Sequence, residues 1–412
     1  MKKFGLIGQP LSHSFSPEIH ALLGDYEYKL YPLLPEQLED FMKNNELSGF
    51  NVTIPYKSDI LPYCRELSKR AQSVGCVNTV IKKTDGSYFG DNTDYLGFRA
   101  LLGADAEKVR GKKVLILGNG GTAKAVRAVL YDKGINNVIT VSRFGEDNYT
   151  NISSHLDAYL IINTTPIGMY PDNGKTVINL DGFSECSLVL DMIYNPAKTT
   201  LLLQAEKLGI PCRNGLYMLV FQAKEATRLF TGEQIPNERA AEITDILSYK
   251  MKNIALIGMP GCGKTTIGKK LAGITSRPFY DTDRIISETA GMDIPRIFAE
   301  KGEGYLRELE TRVLREVSKK SGAVIATGGG IVTVSENHEL LRQNSTVVFI
   351  ERDISKLDCS ARPLSQKRNI KELFSERQPL YEAVCDFKIY NVTPEKAARD
   401  ISCRLQVAGY KL

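Results

Sequence analysis

With 412 residues, 42% of them hydrophobic and 25% charged, the chain is too long for one hydrophobic core, and its ordinary globular composition points to two or three domains. A formal charge of +5 over this length is too dilute for a nucleic-acid surface and suits small anionic ligands. The eight cysteines form no CxxC pair and no Cys/His metal spacing, no apolar run approaches bilayer length, and MKKFGLIGQPLSHS is no signal peptide, so a soluble, reduced, cytoplasmic protein is expected, with no membrane or nucleic-acid partner.

Three strand-then-glycine junctions mark the starts of α/β units: FGLIGQP at the N-terminus, KKVLILGNGG at 112–121 and NIALIGMPGCGKT at 253–265. Behind the first lie polar clusters at expected strand ends and turns: SHSFSP at 12–17, FNVTIPYK at 50–57, GCVNTV at 75–80 and GDNTD at 90–94. A plain core has no need of them. His13 and His20 stand alone and are given no chemical role.

At the second junction, Gly118, Asn119, Gly120, Gly121, Thr122 and Ala123 fit G-x-G-x-x-G/A directly after VLIL and before the helical run KAVRAVLYDKG. This is the context in which a helix N-terminus receives a dinucleotide pyrophosphate. About 20 residues on, an acid would hold a ribose 2′-hydroxyl and an arginine a 2′-phosphate. VITVSRF supplies Ser142 and Arg143, which favours NADP over NAD, with Glu146 and Asp147 close behind as a counter-signal. The plainer alternative leaves Arg143 as a solvated residue at a strand end.

These words, with NTTPIGMYP at 163–171 and GLYMLVFQAKEA at 215–226, make residues 1–248 resemble the shikimate dehydrogenase family. The resemblance implies reduction of 3-dehydroshikimate to shikimate with NADPH. It also implies that Ser14, Ser16, Thr53, Lys57, Asn78, Asp94, Tyr194 and Gln222 bind shikimate, with Met192 and Gly215 joining the NADP loop residues. Lys57 and Asp94 would be the catalytic pair. Hydride arriving at a ketone carbon leaves charge on oxygen, which an ammonium can stabilise and protonate while a carboxylate fixes the ammonium. Taken alone, Asp94 also suits the N-cap of the helix YLGFRALL. One departure is visible: where the family commonly reads Asn-Arg-Thr and soon another Arg, this chain reads Ser142-Arg143-Phe144 and then acids.

The third junction is a complete P-loop, GMPGCGKT at 258–265, preceded by the strand NIALI. Its glycines expose backbone N–H groups to phosphate oxygens, Lys264 neutralises the β- and γ-phosphates, and Thr265 can hold Mg²⁺. FYDTD at 279–283 then ends a second strand, IFAEKGEGYLRELE at 297–310 carries Arg307 on a helix, IATGGG at 325–330 closes a third strand, and SARPLS and ERQPLY follow. In this order the segment 252–412 resembles shikimate kinase, a family with a nucleoside-monophosphate-kinase-like fold and a mobile lid. The resemblance implies that Asp283 orients the hydroxyl to be phosphorylated and that Asp283, Arg307, Gly329 and Arg377 hold shikimate. Gly261, Cys262, Gly263, Lys264, Thr265, Thr266 and the lid's Arg362 would bind ATP, with Asp281 assisting Thr265 at Mg²⁺. Cys262 reads as a small filler, TGGG alone as a tight turn. The lid between Leu357 and Arg362 is short, with Ser360 where the family often has a first arginine.

The expected architecture is α/β throughout: a substrate domain over 1–100 completed by helices at about 216–248, a Rossmann domain over 101–215, a short polar linker at 248–253, and a P-loop domain with a parallel sheet over 252–412. The two resemblances meet on one metabolite, because the hydroxyl made by the first reaction is the one phosphorylated by the second. A bifunctional enzyme of chorismate and aromatic amino-acid biosynthesis follows, using NADPH, ATP and Mg²⁺. Two rivals are a quinate/shikimate dehydrogenase using NAD fused to a kinase, and an inactive metabolite sensor.

Overall fold

The computed structural model describes residues 2–11, 14–357 and 370–407, so Arg362 and the lid segment around it lie outside the described residues. The chain divides into two compact units, one of Met1–Ile167, Thr176–Tyr194 and Gln204–Thr244, the other of Gly168–Lys175, Asn195–Leu203 and Asp245–Leu412.

The first unit holds two sheets. In one, strands β1 (Lys3–Gly8), β2 (Glu27–Pro32), β3 (Gly49–Val52), β4 (Cys64–Leu67), β5 (Thr79–Lys82) and β6 (Tyr88–Asp91) lie in the order β2-β1-β3-β5-β6-β4. β1 runs parallel to β2 and β3, whereas β5 runs antiparallel to both β3 and β6, pairing Asn51 with Thr79 and Thr79 with Asp91. That mixture of directions brings the end of β3, the start of β5 and the end of β6 to one edge, where the polar words of the first hundred residues gather.

The other sheet is all parallel: β7 (Val114–Leu117), β8 (Val138–Val141), β9 (Leu160–Asn163), β10 (Leu188–Asp191) and β11 (Cys212–Arg213), in the order β11-β10-β9-β7-β8. β7, β9 and β10 are buried at every residue, as their unbroken apolar runs require of strands covered on both faces. The chain leaves β7 to one side for β8 and returns to the other for β9, which makes the carboxyl end of β7 a topological switch point. Helix Leu216–Thr231 then packs on helix Thr93–Leu102. A Cβ at Gly97 would lie 2.6 Å from Met218 O, so only glycine permits that approach, and Phe230 at the far end stacks on Phe4 of β1 at 4.4 Å between ring centroids.

The second unit is built on β12 (Asn253–Ile257), β13 (Phe279–Asp281), β14 (Val324–Ala326), β15 (Ser345–Glu351) and β16 (Phe387–Tyr390), all parallel in the order β13-β14-β12-β15-β16. Successive residues of β12 face opposite layers. Ile254 and Leu256 pack with Ile267, Leu271 and Ile401, while Ala255 and Ile257 pack with Leu314, Phe349 and Tyr381. Central β12 is again the switch point, with the P-loop at its end. The stretch expected to be a linker is instead helical through Met251, and the strand begins at Asn253. Its polar groups find backbone partners: Asn253 Nδ2 donates to Lys320 O at 2.6 Å, Ala323 N donates to Asn253 Oδ1 at 2.8 Å, and Arg277 Nη2 donates to Tyr249 O at 2.7 Å. No helix among the described residues is long and apolar enough to cross a membrane.

Candidate active sites

Lys57 follows β3, and Asp94 lies in the first turn of helix Thr93–Leu102. The cap of that helix is Asn92, whose side chain accepts from Tyr95 N at 3.1 Å, so Asp94 is not the cap and its carboxylate faces elsewhere. It receives Lys57 Nζ at 2.6 Å, with the two side chains only 16% and 11% exposed. Burial works against the ammonium, but the contact with Asp94 outweighs it and holds Lys57 above the ordinary lysine range. The neighbouring Cys76 thiol is pushed up by burial and then by Asp94, so it stays a thiol.

The other shikimate candidates surround this edge. Thr53 N donates to Ile7 O at 2.9 Å, and a Cβ at Gly8 would fall 2.3 Å from Thr53 Cγ2. Ser14 Oγ donates to Ser16 Oγ at 3.1 Å, and Phe15 between them meets the Tyr194 ring edge-on at 6.2 Å. Asn78 Oδ1 accepts Thr93 N at 2.7 Å, and Gln222 Oε1 accepts Thr93 Oγ1 at 3.2 Å. His20 is a packing residue: it stacks on Tyr28 at 3.8 Å, and burial pushes its pKa down to about 3, leaving a neutral ring bonded to Tyr26 Oη.

The glycine loop reaches the same place. Helix Gly121–Asp132 starts at Gly120, which offers no side-chain cap, so its first N–H groups are left for an anion, and a Cβ at Gly120 would meet only open space. Asn119 and Thr122 flank this opening in the chain. A Cβ at Gly121 would lie 3.3 Å from Lys57 Cδ, which sets the loop beside the Lys57–Asp94 pair. Gly118, with φ +104°, passes so close to Thr164 that a Cβ would sit 2.9 Å from its Oγ1. Gly215 lies against Met192, where a Cβ would be 2.2 Å from Met192 O, and Met192 N donates to Asn163 O at 2.9 Å.

Past β8, Ser142 N donates to Asp147 O at 3.1 Å, which folds the loop back on itself. The Asp147 carboxylate is taken by His155 Nε2 at 2.8 Å. Arg143 is exposed, pairs with no carboxylate among the described residues, and lies 5.8 Å from the ring of Phe144, itself 95% exposed. Of the two acids that argued for NAD, Asp147 is thus engaged elsewhere while Glu146 is exposed, and Arg143 is open to solvent.

In the second unit, Gly258 and Gly263 adopt φ of +143° and +101°, and Asn391 Nδ2 donates to Cys262 O at 2.7 Å, tying down the buried Cys262. Lys264 Nζ donates to Gly258 O at 2.7 Å and Met259 O at 2.9 Å, carbonyls of its own loop, while Gly261 and Thr266 bracket the turn. Thr265 Oγ1 donates to Asp281 Oδ2 at 2.6 Å. Asp281 also caps helix Thr282–Ala290 through Asp283 N at 3.1 Å. A hydroxyl and a carboxylate side by side are oxygen donors that fit Mg²⁺, which takes few protein ligands and otherwise water and phosphate. Among the described residues no group of three or more His, Cys, Asp or Glu suits a metal ion.

The TGGG segment is more than a tight turn. A Cβ at Gly328 would lie 2.7 Å from Asp283 Oδ1 and 2.7 Å from Glu310 Oε1, one at Gly329 2.6 Å from Pro260, and one at Gly330 1.8 Å from Arg307 Nη1. P-loop, acid and arginine all press on it. Arg307 donates to Glu310 at 2.6 Å and Glu303 at 2.8 Å; burial opposes its charge, but these carboxylates outweigh burial and raise its pKa further. Arg377 Nη1 and Tyr381 Oη both donate to Gly329 O, at 3.0 and 2.5 Å. The Nε atoms of Arg307 and Arg377 are buried and lack a hydrogen-bond partner.

Several residues here escape a reading of the sequence alone. Glu310 had a signal, lying three residues beyond Arg307 on one helix, and Asn92 had the ordinary N-cap preference. Tyr381 and Thr93 had none, since their partners are distant in the chain, and His155 had none because its contact with the nearby Asp147 depends on how the loop folds.

Residues 6–80 match the family model for the shikimate dehydrogenase substrate binding domain, and residues 260–405 match that for shikimate kinase. The NADP(+)-dependent shikimate dehydrogenase of Staphylococcus epidermidis is 38% identical over 273 residues, 61% of this chain and 98% of its own. That of Methanocaldococcus jannaschii is 39% identical over 266 residues, 57% of this chain and 93% of its own. A chorismate mutase/shikimate 5-dehydrogenase fusion protein from Clostridium acetobutylicum superposes with a TM-score of 0.56 at 33% identity, covering 60% of this chain and 97% of the other.

Proposed function

From the premise that this chain belongs to the shikimate dehydrogenase family and carries a shikimate kinase match behind it, we propose a bifunctional enzyme acting on one metabolite twice. It reduces 3-dehydroshikimate to shikimate with NADPH and then phosphorylates shikimate to shikimate 3-phosphate with Mg-ATP. The observation that carries the first half is the buried Lys57–Asp94 pair, 2.6 Å apart, beside the glycine loop.

Bound NADPH supplies the hydride. Lys57 Nζ would face the ketone oxygen, stabilise the charge that develops there and give up a proton, and Asp94 would keep the ammonium in place and favour its return to the charged form. Ser14, Ser16, Thr53, Asn78, Tyr194 and Gln222 would hold the ring and its polar groups. The start of helix Gly121–Asp132 would take the pyrophosphate, and Arg143, free of Asp147, the 2′-phosphate.

For the second reaction ATP supplies the phosphoryl group. Asp283 would orient and deprotonate the shikimate hydroxyl, Arg307 and Arg377 would grip the carboxylate, and Lys264 would exchange its loop carbonyls for phosphate oxygens. Thr265 and Asp281 would hold Mg²⁺. We assign the substrate domain to 1–100 with 216–248, the dinucleotide domain to 101–215 and the kinase domain to 252–412. Free cysteines throughout the described chain support a reducing, cytoplasmic setting.

The test is a coupled assay of purified protein with 3-dehydroshikimate, NADPH and Mg-ATP. NADPH absorbance should fall while shikimate 3-phosphate accumulates. Faster turnover with quinate and NAD would replace the first half of the proposal, and silence with every cofactor would favour a sensor.

A further inference from the structure

Thr93 contacts two of the amides proposed to hold substrate, although it lies wholly buried. Its backbone N–H donates to Asn78 Oδ1 at 2.7 Å, and its hydroxyl lies 3.2 Å from Gln222 Oε1, 3.2 Å from Asn78 Oδ1 and 3.1 Å from Thr79 Oγ1. Donor and acceptor rules fix the polarity of Asn78. A backbone N–H can only donate, so Asn78 must turn its oxygen toward residue 93 and its NH₂ the other way. Thr79 Oγ1 also donates to Asn78 Oδ1 at 3.1 Å, which fills both lone pairs of that oxygen. The single hydroxyl proton of Thr93 then has two acceptors in reach, Gln222 Oε1 and Thr79 Oγ1, and Gln222 Oε1 takes it when the amide is turned as its nitrogen shows, donating to Leu219 O at 2.9 Å with one N–H remaining.

We infer that Thr93 is a positioning residue that sets the amide polarity of Asn78 and Gln222, so that both present N–H donors to substrate oxygens. This rests on the proposed dehydrogenase reaction and adds to it the residue that orients its substrate amides. Without the hydroxyl, Gln222 loses the donor to its oxygen and is held by Leu219 O alone, so its amide is less firmly set to present a donor to substrate. Asn78 keeps its backbone donor. The defect should then fall on substrate binding and leave the cofactor and the Lys57–Asp94 pair as they were.

The experiment is steady-state oxidation of shikimate by NADP⁺ with the full chain, for the wild type, Thr93→Val and Thr93→Ser. Thr93→Val should raise KM for shikimate about tenfold, the loss of one hydrogen bond to a buried group. Its kcat and its KM for NADP⁺ should stay within about twofold, and Thr93→Ser should restore KM. Kinase turnover of each preparation measures the amount of chain, and binding of NADP⁺ measures folding of the first unit. If the valine protein is misfolded, Thr93→Ala is judged by the same criteria. An unchanged KM for shikimate, a parallel loss in kcat and in KM for NADP⁺, or a serine variant no better than valine would overturn the assignment. A wild type that does not oxidise shikimate at all would instead defeat the proposed reaction.

Discussion

The two candidate sites hold their lysines in different ways. In the dehydrogenase site Lys57 is held by a protein carboxylate, Asp94, in a buried contact of 2.6 Å. In the kinase site Lys264 rests on carbonyls of its own loop and Arg377 on Gly329 O, while Arg307 meets the carboxylates of Glu310 and Glu303. The difference follows from what each reaction brings. A ketone is neutral, so a buried ammonium aimed at it needs a counter-charge from the protein to remain charged. ATP and a carboxylate arrive as anions, so Lys264 and Arg377 can rest on backbone carbonyls that leave their charge uncompensated for the ligand, while Arg307 keeps the carboxylates of Glu310 and Glu303.

Substitutions can break this contrast. The largest effect should come from Lys57→Ala, which removes the proton donor: dehydrogenase kcat should fall by roughly 10²–10⁴ while the kinase rate of the same protein is unchanged, as parallel assays of the two half-reactions would read. Lys264→Ala should do the reverse, lowering phosphorylation by about 10²–10³ and sparing NADPH oxidation. Equal damage to both activities from either variant would contradict independent sites. Arg143→Ala should raise KM for NADPH by about tenfold to a hundredfold with little change for NADH, because only the former carries the 2′-phosphate. If NADH is affected alike, Arg143 serves the shared part of the cofactor.

The pH dependence sharpens the comparison further. Asp94 raises the pKa of Lys57 above that of a free lysine, so activity that needs the ammonium should persist as pH rises past the ordinary lysine value and be lost only above it. In Asp94→Asn burial acts unopposed and favours the neutral amine, so the alkaline limb of kcat/KM should move to lower pH. A limb that stays put would remove Lys57 from the titration. The smallest effect is structural: Asn92→Ala removes the cap before Asp94 and should cost about 1 kcal/mol of stability in chemical denaturation.

Much of this was legible in the chain itself. The glycine loop and the P-loop are readable because their function resides in backbone N–H groups within one strand-turn-helix, and the residues that permit such turns are local in sequence. Arg143 and Thr265 follow at spacings set by the same units. Tertiary structure decided what depends on distant partners. Lys57 meets Asp94 across 37 positions only because β5 runs antiparallel between β3 and β6. Asp147 is withdrawn from the cofactor loop by His155, the helix cap falls to Asn92, and TGGG is shaped by Pro260, Asp283 and Arg307 pressing on it. Thr93 joins Asn78 to a glutamine 129 residues away. Sequence determines which groups can donate, accept or carry charge, and packing across sheet and helix determines which of them meet.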